Sequence, residues 1–216
     1  MFVSSQIYEE AKHAQFFDRY WREVVYPVAE ARGFETVRPT DQRFFPDGYV
    51  ELFDRTEAAM ERLLTDDTPE NRVRAYCHYH LVVESVLAQT GYWGITSTMS
   101  PGASDEVATR EFPHLEGVSF IRSDEGRHVG FGMQRVQAHL AEDGVDESVV
   151  RDTLQELMPP VAATVSATDE VIDPMPLVEY AREKLTRRID IITDAEAEIP
   201  AVEELVALDD EPAAAD

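Results

Sequence analysis

Apolar residues return at close to a 3.6-residue period along most of the chain. From Ser4 or Ser5 to about Ala31 they recur as Ile7, Ala11, Ala14, Phe17, Tyr20, Trp21, Val24 and Val25, which predicts a first helix. Gly33 stops it, and Pro27 predicts a kink or an early end. Residues 34–48, with Pro39, Pro46 and Gly48, read as a connector. A second helix is predicted over Tyr49–Leu64, and Asp66-Asp67-Thr68-Pro69 ends it and opens the next. That third helix, about Pro69 to Thr98, is apolar nearly all round through His80–Tyr92, the pattern of a central helix. Further helices are predicted near His114–Leu140, Asp146–Ala167 and Pro176–Thr193, with Pro159-Pro160 expected to kink or split the second of these. There is no alternating strand pattern and no tandem repeat. The predicted class is all-α: one helical domain over residues 1–200, then an acidic tail over 201–216 that should fray from Glu203 onward.

Charge narrows the partners. Forty-three acids against 19 bases give a formal charge of -24, which repels nucleic-acid phosphates and anionic membrane surfaces. Lys12 and Lys184 are the two lysines, so arginine supplies the other bases. A Lys-poor, carboxylate-rich surface suits a salt-rich, halophilic cytoplasm, where screening weakens mutual repulsion. The lone Cys77 excludes an internal disulfide and fits a reducing compartment. No run approaches the ~18 apolar residues of a membrane span, and the first 15 residues lack the order of a secretory signal. The expected location is cytoplasmic.

Two segments share a spacing: Glu10-Ala11-Lys12-His13 and Glu125-Gly126-Arg127-His128. Residues three apart lie on one helix face, so each segment presents a carboxylate beside an imidazole. One such pair arises easily by chance, as a solvated Glu and a hydrogen-bonded His. Two, on separate long helices amid apolar neighbours, match bundles that hold two metal ions with Glu-x-x-His from two helices and single glutamates from others. Glu84 supplies a candidate single glutamate at the centre of the most apolar helix. Burying it unpaired would cost several kcal/mol or force protonation, and a metal removes that penalty. The competing reading pairs Glu84 with an arginine such as Arg127. Glu84 and Glu125 also fall at similar heights if their helices are antiparallel, at ~1.5 Å per residue. His80, one turn before Glu84, could support a ligand; His78, His114 and His139 read as structural or exposed.

The strings YEEAKHAQFF, VRAYCHYHLVVESVLAQTGYW and SDEGRHVGFG resemble the ligand helices of the ribonucleotide reductase small-subunit superfamily, within the ferritin-like fold. The similarity is strongest to its small-subunit-like ligand-binding oxidases. It implies a manganese–iron or di-iron centre, a bound long-chain fatty acid, two-electron oxidation by activated dioxygen, and a homodimer. On the matching positions it implies that Glu10 bridges the metals, His13 binds the first, and Glu84, Glu125 and His128 serve the second. Asp124 matches an acid that orients the first metal's histidine. Tyr79 matches a tyrosine that this branch crosslinks to a valine, and Tyr92 resembles a pocket position.

Two departures bear on the activity. The family's first glutamate ligand and the crosslinked valine sit on a helix ahead of this segment, so the expectation is a gene start further upstream, or a shortened form with an exposed apolar seam along the third helix. The reductase subunit keeps a radical tyrosine four residues after its first histidine, where this chain has Phe17. Phe17 thus weakens the reductase reading without ending it, since some reductase subunits lacking the tyrosine use the metal pair as oxidant. The alternatives are a ribonucleoside-diphosphate reductase small subunit, with Leu205–Asp210 docking a large subunit, and, favoured by the missing helix, a non-catalytic metal-binding protein.

Overall fold

A computed structural model describes residues 2–99, 115–168, 173–194 and 196–207. Among them the regular elements are all helical. Helix α1 (Phe2–Tyr20) runs through a π turn (Trp21–Val25) into α2 (Tyr26–Ala31). Pro27 does not end it: it sits in the first turn of α2, directly after the π turn that the Tyr26 N–H closes on the Trp21 carbonyl. Gly33, at φ 74°, then reverses the chain, and the Trp21 indole donates to the Val37 carbonyl (2.7 Å), pinning the connector. Helix α3 (Asp47–Arg62) follows.

The predicted central helix is continuous in three parts: α4 (Pro69–Tyr76), a π-helical segment (Cys77–Leu87) and α5 (Ala88–Met99). Thr68 caps it, accepting from the Asn71 backbone N–H, with Pro69 in the first turn. Val73, Cys77, Leu81, Val82 and Val86 are fully buried, as an all-round apolar pattern requires. Against it pack α6 (Leu115–Glu142), α7 (Glu147–Ser166) and α8 (Pro174–Thr193). Asp146 and Asp173 cap α7 and α8 through the Ser148 and Met175 N–H groups. No helix among the described residues is long and apolar enough to cross a membrane.

Two expectations fail. Helix α7 continues through Pro159-Pro160, so the pair does not split it. Pro160 has no N–H to give the Glu156 carbonyl, and the Arg55 guanidinium supplies that bond from α3 at 3.2 Å. The tail does not fray at Glu203. Val202–Leu205 form a short helix, α9, with Leu205 1% and Val206 9% exposed. The Leu205 carbonyl accepts from buried Gln89 and Arg188 (2.8 Å each), and Lys184 Nζ donates to the Ala207 carbonyl at 2.9 Å. This strap rests on Gly126, where a Cβ would meet Val202 and Val206 at 2.7 Å. Two residues of the segment considered for docking a large subunit are thus core residues of this chain; positions 208–210, like His114, lie outside the described residues.

Candidate metal centre

Helices α1 and α6 bring the two Glu-x-x-His pairs face to face, and the π segment lowers Glu84 onto them. A ligand oxygen or nitrogen from each of Glu10, Glu84, Glu125 and His128 lies within 4.8 Å of the others. Both imidazoles aim Nδ1 inward. His13 Nδ1 is 3.5 Å from Glu10 Oε2 and 3.5 Å from Glu125 Oε1. His128 Nδ1 is 3.3 Å from Glu10 Oε1, 3.4 Å from Glu84 Oε1 and 3.3 Å from Glu125 Oε2. Glu10 and Glu125 therefore each turn one oxygen to one histidine and one to the other.

The donor set fits metal ions. Glu10 Oε1, His13 Nδ1 and Glu84 Oε2 are buried without a hydrogen-bond partner, a costly arrangement for polar atoms unless a further ligand takes them. Carboxylate oxygen with imidazole nitrogen suits manganese and iron. Burial works against a charge on His128, but the Glu10, Glu84 and Glu125 carboxylates, 3.3, 3.4 and 3.3 Å from its Nδ1, push it up to about 12. Glu10 moves the other way; despite burial, His128 and His13 hold it down to about 2. Glu84 is raised above the usual carboxylate range, chiefly by burial and then by Glu125.

Each imidazole is held from behind by an acid on the opposite helix. His13 Nε2 meets Asp124 Oδ2 at 3.1 Å, and His128 Nε2 meets Glu9 Oε2 at 2.8 Å. An Nε2–H donated to a carboxylate leaves the Nδ1 lone pair for a metal. Arg127 binds these two outer acids, at 2.6 Å each, and not Glu84. The pairing of Glu84 with Arg127 is thus excluded. Gln6 Nε2 donates to Glu84 Oε1 (2.8 Å), while Gln6 Oε1 lies 3.3 Å from His80 Nε2. Burial, then the His128 charge, drives His80 down to about 4.

Tyr92 donates its hydroxyl to Glu125 Oε1 at 3.3 Å, which places it beside the centre. Tyr79 lines a cavity of about 710 Å³ together with Glu10, the apolar Val3, Ile7, Met60 and Leu63, and the charged Asp67, Arg72 and Arg135. Burial, then Glu84 and Glu10, raises the Tyr79 phenol far above its ordinary value, so it keeps its proton. Phe17 is 40% exposed on α1. His139 is buried against Asp143, and His78 is half-buried and lowered to about 4, mainly by burial. Sequence reasoning missed Glu9 and Gln6. The doubled Glu9-Glu10 was the available signal for Glu9, since the two residues point about 100° apart on a helix and reach different partners.

No model of a known protein family matches the chain. Among solved structures it is similar to a valine-to-isoleucine variant of an R2-like ligand-binding oxidase with anaerobically reconstituted Mn/Fe cofactor, at 28% identity and TM-score 0.71, covering 88% of this chain and 65% of that one. A valine-to-leucine variant, also anaerobically reconstituted with Mn/Fe, gives 29% identity and TM-score 0.70 over the same shares. A glutamate-to-aspartate variant, aerobically reconstituted with Mn/Fe, gives 26% and 0.72, covering 88% and 66%. The chain spans about two thirds of the length of these structures. It has their ferritin-like bundle, the fold of ribonucleotide reductase small-subunit-like proteins.

Proposed function

We propose that this chain is a dimetal-carboxylate oxidase that holds manganese and iron, or two irons, and oxidises an organic substrate by two electrons with dioxygen. The observation that carries it is the convergence of Glu10, Glu84, Glu125 and His128, with His13 Nδ1 3.5 Å from Glu10 and Glu125 and three buried donor atoms left unpartnered. Glu10 and Glu125 would hold both ions, His13 would hold one of them, and Glu84 and His128 would hold the other. A metal pair there, when bound, supplies dioxygen reduction and the two-electron oxidant.

The chain's own residues do the rest. Asp124 and Glu9 fix the imidazole tautomers and hold both rings in place. Val82 and Val86, both fully buried, keep water from the central helix side. Tyr92 keeps a proton on a hydrogen bond to Glu125, and Tyr79, protonated in the cavity wall, is an oxidisable side chain that shares that wall with Glu10. The cavity's apolar wall, with Arg135 and the Asp67–Arg72 ion pair among its lining, supports a long-chain fatty acid as the bound ligand. A homodimer built through bundle helices belongs to the same proposal.

Metal content per chain, measured by plasma mass spectrometry on protein purified in high potassium chloride beside Glu125→Ala, tests the reading. Near two ions of iron or manganese, lost in the variant, is the expected result. No bound metal would leave a ferritin-like scaffold and overturn the oxidase. Extraction and mass spectrometry of the same preparation tests for the fatty acid.

A further inference from the structure

The two histidines are supported crosswise. His13 on α1 leans on Asp124 of α6, and His128 on α6 leans on Glu9 of α1. Neither acid is held by its own helix's ligand, so both imidazoles depend on the relative placement of the two helices. One atom joins the supports: Arg127 Nη2 is 2.6 Å from Glu9 Oε1 and 2.6 Å from Asp124 Oδ1. The acids are mostly buried, with side chains 16% and 18% exposed, while the guanidinium caps them from the surface at 43%. Two carboxylates this near one another repel; a shared guanidinium reverses that repulsion and fixes both.

We propose that Arg127 is a positioning residue that couples the two metal positions by clamping Glu9 to Asp124. This rests on the dimetal reading above. The clamp is asymmetric. Lys12 Nζ lies 3.7 Å from Asp124 Oδ2, so Asp124 keeps a cation when Arg127 is removed. Among the described residues, Glu9 pairs with Arg127 and with His128, the imidazole it must orient. Loss of the guanidinium therefore strikes His128 and its position harder than His13 and its position. A residue that merely stabilised the fold would weaken both alike.

The test is manganese(II) binding by the full chain, read from free manganese(II) in electron paramagnetic resonance. Wild type, Arg127→Met, Glu9→Gln and the Arg127→Met/Glu9→Gln double variant are compared, with thermal melts of the metal-free proteins as the folding control. The wild type should bind two ions. Arg127→Met should bind one with near wild-type affinity and the other about 10-fold more weakly, the low end for outer partners of metal ligands. Glu9→Gln should weaken the same ion, and the double variant should be little worse than Glu9→Gln alone, because the clamp acts through Glu9. Two ions bound with unchanged affinity in Arg127→Met, equal weakening of both, or additive losses in the double variant would each overturn the clamp. A wild type that binds no metal would overturn the dimetal reading itself, a separate outcome.

Discussion

Replacing Glu84 by glutamine should stabilise the metal-free protein while weakening its response to metal. Glu84 is 4% exposed and faces two other carboxylates within 4.8 Å. A pair of unit charges at that separation repels by about 3.5 kcal/mol at an effective dielectric of about 20, so two such pairs give about 7. The His128 imidazolium, 3.4 Å away, returns about 5 on the same scale. The balance is about 2 kcal/mol against the ionised carboxylate before its burial is counted. An amide removes the charge and still accepts from Gln6 Nε2. Calorimetry of the chelator-treated proteins at pH 8 should therefore put Glu84→Gln about 4–8 °C above wild type.

The pH dependence has a definite sign. Burial raises the Glu84 carboxyl, so the stability of its protonated form is fully present below about pH 4.3 and is lost as pH rises through the folded value. The advantage of the glutamine variant should accordingly grow from pH 4 to pH 8. Manganese(II) or iron(II) at about 100 times the dissociation constant should add about 2.7 kcal/mol to wild type and less to the variant, which keeps the His13 position. A glutamine variant that melts below wild type without metal, and still gains the full shift with it, would make Glu84 a structural acid and refute this reasoning.

Metal uptake should release protons, because Nδ1 of His128, held near 12, must lose its proton to bind; affinity should rise about 10-fold per pH unit for each proton displaced, measurable by titration in unbuffered medium. Leu205→Ala should cost about 2–5 kcal/mol, since the side chain is 1% exposed in the main core; a loss below about 1 in denaturant melts would mean that the strap does not belong to the cooperative unit. Gly132→Ala should destabilise by about 1–3 kcal/mol, because the new Cβ would overlap the His80 side chain and one of the two must shift; an unchanged melt would show that α6 and the π segment are not in close contact there.

The chain order of helices was readable because each is a local pattern. The 3.6 period, Thr68 before Pro69, and Gly33 and Gly144 at positive φ mark the elements without reference to any neighbour. The two Glu-x-x-His pairs were legible for the same reason, since residues three apart share a face in any helix. Glu84 declared itself by being an acid in an apolar run. What those local patterns could not carry is the rotation and register of one helix against another. Only that placement turns Glu125 toward both histidines, sends Arg127 to Glu9 and Asp124 rather than to Glu84, and gives Gln6 to Glu84 and His80. The long-range bonds that cancel local signals were equally hidden. Arg55 repairs the carbonyl stranded by Pro160, and Gln89 and Arg188 hold a tail whose composition reads as solvated. Composition and period fix which residues must be buried or paired; the tertiary contacts decide with which partner, because that depends on distances across helices that no spacing along the chain encodes.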